Sequence, residues 1–166
     1  INGEYGDTAV KATHQFFFHT AQTIEVFAFG AGTIGGTMID QIRDQREKLL
    51  KENVDIKVLA ITTIDGMNLS EDGLDLTNWR EDLKTPMFKF GPENVDDIIK
   101  FVKEKKPLNP VFVDCTASYD LPDRYLDILN AGMSIATPNK RANSKNIEFY
   151  HELRRVANKM HRRFLY

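Results

Sequence analysis

The stretch Val26–Ile42, "VFAFGAGTIGGTMIDQI", decides how the rest of the chain is read. An apolar run passes through Gly30, Gly32 and Gly35 and then takes up a helical pattern. Ile24–Phe29, "IEVFAF", is β-rich and almost wholly apolar, as a strand buried on both faces of a sheet should be. From Thr33 to about Asn53 the period becomes helical: Met38, Ile39, Ile42, Leu49 and Leu50 share a stripe, and Arg43, Asp44 and Glu47 lie off it. The three glycines at the seam fit G-x-G-x-x-G, and each has a mechanical use. Gly30 permits the tight turn, Gly32 lets backbone approach a diphosphate, and Gly35 lets the helix pack closely on the strand. The helix start then offers free N–H groups and a partial positive charge to phosphates. The motif alone is weak, but a strand before it and a helix after it supply the context a dinucleotide site requires. A glycine-rich turn used only for packing is the competing reading.

Outward from this seam, strand and helix keep alternating. Asp55–Thr63 reads as a second strand, and Asp65–Leu83 as a polar excursion with a short helix near Asn78 to Leu83. A helix over Val95–Lys105 stops at Pro107, and Asn109–Cys115 is a strand entered through Pro110. Pro122–Ala131 is a helix with proline at its start and Gly132 past its end. Met133–Thr137 is a short strand, Asn143 to about Met160 a long helix, and "RFLY" the start of another strand. The pattern predicts an α/β fold of Rossmann type, a doubly wound and mostly parallel sheet with helices on both faces.

The coenzyme's second contact is less clear. An NAD-preferring fold usually carries an acidic residue at the end of the second strand, for the ribose hydroxyls. Here that strand ends in Thr62 and Thr63, and Asp65 lies beyond it. No carboxylate at the strand end would repel a ribose phosphate, and no arginine lies nearby in the sequence to clamp one. NADP and NAD both stay open.

Bulk properties narrow the class. The chain has 166 residues, 42% hydrophobic and 28% charged, with a net charge of -2, which suits one domain with its own core. That charge speaks against a nucleic-acid partner. No apolar run approaches the roughly 20 residues that span a bilayer. The single cysteine, Cys115, excludes an internal disulfide framework and fits a reducing, cytoplasmic setting. The chain opens on Ile1 and closes on an apolar "RRFLY", so a domain cut from a longer polypeptide is expected.

"VFVDCTAS", Val111–Ser118, repeats the strand-then-small-residue logic, placing Asp114, Cys115, Thr116, Ala117 and Ser118 at a strand's carboxyl end, where ligands of doubly wound sheets lie. "ATPNKRANS", Ala136–Ser144, follows the next strand and brings Lys140 to the same edge. Together "GAGTIGG", "VFVDCTAS", "NAGMSIATPNKRANS" and "FYHELRRVANKMHRRFLY" resemble the nucleotide-binding part of homoserine dehydrogenase, in the form fused behind an aspartokinase, over almost the whole chain. "TPNKRAN" is the most specific piece.

The resemblance implies NAD(P)-dependent interconversion of aspartate semialdehyde and homoserine, on the way to threonine and methionine. It assigns the coenzyme diphosphate to Gly30, Ala31, Gly32, Thr33, Ile34 and Gly35. Thr116 falls beside the nicotinamide ribose, with Cys115, Ala117 and Ser118 as neighbours. Lys140 becomes a supporting, substrate-facing catalytic lysine that also borders the coenzyme. Residues 1–23 would be the link from the kinase region, and 24–166 the coenzyme domain. The substrate-binding and dimerising region, with the main proton-transfer residues, would lie beyond Tyr166, so the parent would be a homo-oligomer and this chain alone inactive. Alternatives are a non-enzymatic NAD(P)-sensing module and a dehydrogenase of another semialdehyde.

The remaining conspicuous residues have bland readings. Cys115 reads as a small buried hydrophobe, with nothing nearby to activate its thiolate. His14, His19, His151 and His161 show no metal-ligand spacing, so no metal is expected. Trp79 would pin the short helix to the sheet. Phe16–Phe18 would cover a sheet edge or meet the upstream region, and the arginine pairs beginning at Arg154 and Arg162 would be solvated.

Overall fold

The computed structural model describes residues 21–166. Strand β1 (Gln22–Phe29) leads into helix α1 (Thr33–Lys51) and strand β2 (Val54–Thr62). A short strand β3 (Gly66–Leu69), helix α2 (Trp79–Asp82) and strand β4 (Phe88–Lys89) precede helix α3 (Glu93–Lys105). Strand β5 (Pro110–Asp114), a 3-10 turn (Leu121–Arg124), helix α4 (Tyr125–Asn130) and strand β6 (Ser134–Ala136) follow. Helices α5 (Arg141–Ser144) and α6 (Ile147–Lys159) and strand β7 (Phe164–Leu165) complete the order.

The seven strands line up as β4-β3-β2-β1-β5-β6-β7. The β2-β1-β5-β6-β7 run is parallel throughout, and β3 and β4 add antiparallel to the β2 edge. Chain order reverses at β1, which has β2 on one side and β5 on the other, so the switch point of this doubly wound sheet lies between β1 and β5. That is the fold the alternating pattern predicts.

Two apolar layers explain why β1 lacks polar residues at its end. Phe27 and Phe29 face one layer, with Leu59, Ile98, Phe112, Tyr125 and Leu153 from the α3, α4 and α6 side. Val26 and Ala28 face the other, with Ile39 of α1, Val58, Ile61 and Trp79 of α2. Period-two alternation with both faces covered turns every position apolar. Each large side chain buried this way contributes about 1.5–3 kcal/mol.

The structure corrects the sequence reading in three places. The polar excursion after β2 contains the β3 and β4 strands, whose two to four residues are too short to show a period. The Pro122–Ala131 helix begins as a 3-10 turn and becomes α-helical only at Tyr125. The long helix expected from Asn143 is broken: Lys145 is extended, and the Asn146 side chain accepts from Phe149 N at 2.8 Å, starting α6 afresh. Residues 1–20 of the assigned upstream link, His14, His19 and Phe16–Phe18 among them, lie outside the described residues, whereas its last two residues, Gln22 and Thr23, already belong to β1, which begins two residues before Ile24.

Candidate functional site

The carboxyl ends of β1, β2 and β5 are joined through main chain. Gly30 N donates to Thr62 O at 2.9 Å, and Cys115 N donates to Phe29 O at 2.8 Å. Three glycines do three different things at this junction. Gly30 has φ +84, and a Cβ there would also stand 2.8 Å from the Thr116 methyl and 2.9 Å from Cys115 carbonyl carbon. Only a residue without a side chain turns the corner at that point. Gly35 is held so close that a Cβ would run into the Gly30 carbonyl oxygen, with Cys115 Cβ at 3.1 Å. Gly32 is different: a Cβ there would meet nothing within 4 Å. Packing therefore demands glycine at Gly30 and Gly35, whereas Gly32 faces open space at the start of α1.

That helix start is suited to an anion. Its first N–H groups, at Thr33, Ile34 and Gly35, have no carbonyl one turn back to bind. Gly32 occupies the N-cap without a side-chain acceptor, and the first turn carries no acidic residue. Thr33 and Ile34 are exposed, and Ala31 is half-buried. Asp40, two turns in, is the nearest carboxylate on the helix and is already engaged. It accepts from Trp79 Nε1 at 3.0 Å and from Arg80 Nη1 at 2.8 Å and Nη2 at 2.5 Å. The Arg80 guanidinium, followed by Trp79, holds the Asp40 carboxyl well below the usual carboxylate range. Trp79 thus pins α2 to α1 as well as to the sheet. Arg80 Nη2 also lies 3.3 Å from where a Cβ of Gly36 would stand. An arginine remote in sequence is therefore close to the glycine seam in space.

Thr62 and Thr63 part company at the end of β2. Thr62 is buried, and its hydroxyl has no hydrogen-bond partner among the described residues. Thr63 is half-buried and serves the turn into β3: its N donates to Gly66 O at 2.8 Å, and its hydroxyl accepts from Asp65 N at 3.2 Å. No carboxylate stands at this strand end; Asp65 is exposed in the turn.

The ends of β5 and β6 form the second half of the site. The register pairs Val113 with Ala136, so Asp114 and Thr137 leave the sheet side by side. Asp114 is 0% exposed, and its carboxylate accepts from Thr116 N at 2.7 Å, Thr116 Oγ1 at 2.6 Å, Tyr125 OH at 2.5 Å and Asn139 Nδ2 at 3.1 Å. Thr137 Oγ1 donates to Asp114 O at 2.9 Å. Burial, and then the Asp114 charge, push the Tyr125 phenol well above its ordinary range. Ser118 Oγ accepts from Asp120 N and Leu121 N, and Thr116 Oγ1 accepts from Ser118 N, so the Cys115–Ser118 loop is shaped by its own small hydroxyls. Ala117 is exposed on it. Cys115 is half-buried rather than buried as the sequence suggests, because it sits on the loop leaving β5. Its thiol is pushed up, by burial first and then by Asp114, which leaves it un-ionised at neutral pH.

Lys140 is exposed and opens α5 as its N-cap. With Thr137, Pro138, Ser144 and Tyr166 it borders a hollow of about 440 Å³. A larger cavity of about 600 Å³ lies elsewhere, between α1, β2 and residues 72–77, and none of the site residues lines it. The structure thus brings the glycine seam, Thr62, the Cys115–Ser118 loop and Lys140 to one edge of the sheet. The sequence reading placed Asp114 at this edge without a role and did not single out Tyr125, Thr137 or Asn139. The signal was an aspartate ending an otherwise apolar strand, with a Thr-x-Asn ending its neighbour.

His151 and His161 are exposed, and no group of metal-ligating side chains forms among the described residues. No helix among them is long and apolar enough to cross a membrane.

Comparison with known proteins agrees with this geometry. A family described as homoserine dehydrogenase, NAD binding domain, matches residues 30–166. A bifunctional aspartokinase/homoserine dehydrogenase of Haemophilus influenzae is 40% identical over 158 residues, 95% of this chain and 19% of that protein. A chloroplastic bifunctional aspartokinase/homoserine dehydrogenase 1 of Arabidopsis thaliana is 38% identical over 162 residues, 95% of this chain and 17% of that protein. The chain thus spans about a fifth of these relatives. Among solved structures, a hyperthermophilic archaeal homoserine dehydrogenase in complex with NADPH shares the fold, with a TM-score of 0.66 and 23% identity over 87% of this chain and 44% of that one.

Proposed function

The chain belongs to the homoserine dehydrogenase NAD-binding domain family, and from that premise we propose that it is the coenzyme-binding part of an enzyme interconverting L-homoserine and L-aspartate 4-semialdehyde. The single observation that carries the reading is that the glycine seam after β1 and Lys140 after β6 stand at the same carboxyl edge of the sheet, on either side of the switch point. A nicotinamide coenzyme bound there supplies the hydride donor or acceptor. The chain's own work is binding and orientation. The free amides of Thr33, Ile34 and Gly35, with Gly30, Ala31 and Gly32 before them, hold the diphosphate. Thr62 and Thr63 border the adenosine side, and Cys115, Thr116, Ala117 and Ser118 the nicotinamide ribose.

Lys140 presents an ammonium to the carbonyl oxygen of the semialdehyde, where negative charge grows during reduction. In the oxidative direction the alcohol loses hydride to the coenzyme and a proton to a base from the substrate region, which we place after Tyr166. Residues 1–23 link to an upstream aspartokinase region, and the parent assembles as a homo-oligomer in a reducing compartment such as the cytoplasm. NADP and NAD are both accommodated, because no carboxylate ends β2 to oppose a ribose phosphate.

The test uses the intact polypeptide. It reduces NADP or NAD when given L-homoserine, and Lys140→Ala lowers kcat by about 100-fold while coenzyme affinity changes little. Coenzyme binding without homoserine-dependent reduction would instead indicate a sensor, and activity only on another semialdehyde a different dehydrogenase. The 166-residue chain by itself should show no homoserine turnover.

A further inference from the structure

Asp114 sits at the end of β5 with 0% exposure and takes four hydrogen bonds, from Thr116 N, Thr116 Oγ1, Tyr125 OH and Asn139 Nδ2. No ion pair among the described residues includes it. A buried carboxylate is costly unless its oxygens are fully hydrogen-bonded, and an apolar group of the same size would serve packing better. Its partners lie on two different loops and a helix, which is what a positioning device requires.

Asn139 is the arm that reaches the reacting lysine. Its Nδ2 donates to Asp114 and, at 3.0 Å, to Ser118 O; its Oδ1 accepts from Arg141 N at 3.1 Å; its own N donates to Thr137 Oγ1 at 2.9 Å. With both donors and the acceptor of the side-chain amide in use, the group cannot flip or turn without losing several bonds at once. Lys140 is its peptide neighbour and is held on the far side too, because Arg141 N is tied to Asn139 and Ser144 N donates to Lys140 O at 3.1 Å.

We propose that Asp114 is a positioning residue for Lys140, acting through Asn139, so that the ends of β5 and β6 form one rigid mount for the lysine beside the nicotinamide loop. The proposal rests on the functional reading above and deepens it. The chemistry stays with Lys140; the buried carboxylate fixes where that lysine's backbone stands relative to Thr116, which the same carboxylate holds.

The experiment compares Asp114→Asn, Asn139→Ala and, as a control, Leu129→Ala, at a fully buried position of α4 that makes none of these hydrogen bonds, in the intact polypeptide. The readouts are Tm, NADPH affinity by fluorescence titration, kcat and KM for homoserine, and the rate at which an acylating reagent labels Lys140, read by mass spectrometry. Asn139→Ala should lower kcat by roughly ten- to a hundredfold, because a displacement of an ångström has effects of that order. It should also change the Lys140 labelling rate, with KM for homoserine and NADPH affinity moving far less. Leu129→Ala should lower Tm and leave both kcat and Lys140 labelling near wild type. Asp114→Asn should follow Asn139→Ala wherever it folds. If Asn139→Ala behaves like Leu129→Ala, losing stability while kcat and Lys140 labelling hold, the mount does not exist. Wild-type protein inactive toward homoserine would sink the functional reading alone, and the labelling comparison would still decide the mount.

Discussion

Gly35 packs so closely on Gly30 that a methyl group on Gly35 would run into the Gly30 carbonyl, whose carbon would be 3.0 Å away. A methyl group on Gly32, three residues earlier, would have nothing within 4 Å. The two glycines therefore fail differently. Gly35→Ala must lift α1 from the β1 turn, at a cost of about 1–3 kcal/mol as for other overpacked sites, and coenzyme binding weakens with it. Gly32→Ala should leave the Tm near wild type but place a methyl where the proposed function puts the coenzyme diphosphate, so NADPH affinity should fall about tenfold or more. Thermal melts with fluorescence titrations separate the two. A Gly32→Ala protein that binds NADPH normally would remove the diphosphate from this turn.

Tyr125 gives a pH signature to the interior. Its hydroxyl donates to Asp114 at 2.5 Å and lies 3.2 Å from Thr137 Oγ1. Tyr125→Phe leaves the carboxylate one donor short, at a cost of about 1–3 kcal/mol near neutral pH. Because burial raises the folded-state pKa above the unfolded value, the phenol stays protonated in the folded chain after it ionises in the unfolded one. Its contribution is thus complete below the unfolded pKa, about 10, and is lost above it at roughly 1.4 kcal/mol per pH unit. The Tm gap between wild type and Tyr125→Phe should be constant from pH 7 to 9 and shrink as pH climbs past about 10. A gap that stays constant through the alkaline range would contradict the buried phenol.

The glycine seam was legible because two periods meet there. An apolar run with both faces covered changes to a 3.6-residue stripe, and the glycines fall at the change. The β3–β4 hairpin was not legible, because "GMNL" and "FK" are too short for alternation to register. Nor could spacing reveal the cluster around Asp114. Asp114, Tyr125, Thr137 and Asn139 are spread over 26 positions and meet only because β5 and β6 are parallel neighbours in one register. Arg80 makes the same point. No arginine follows β2 closely in sequence, yet the excursion after β3 returns one to the flank of α1.

Asp40 is where that excursion is fastened. It binds Arg80 through both oxygens and accepts from the Trp79 indole, Arg43 Nη1 lies 3.3 Å away, and the Arg80 guanidinium stacks 4.2 Å over the Trp79 ring. The carboxyl's folded-state pKa is depressed, chiefly by Arg80 and then by Trp79. Its contribution is therefore present above the unfolded carboxylate pKa of about 3.9 and disappears as pH falls below it. Solvent screens an exposed pair, so the effect on global stability is small. Asp40→Asn should melt slightly below wild type at pH 7, with faster amide exchange over residues 79–83, where α2 is released. The difference should begin to narrow as pH falls below about 4, the unfolded carboxylate pKa, and should close only once pH drops past the depressed folded-state value, where protonation gives wild type the same neutral group. A difference that persists unchanged at low pH would mean that the geometry of the side chain, rather than its charge, fastens α2 to the helix that opens the glycine seam.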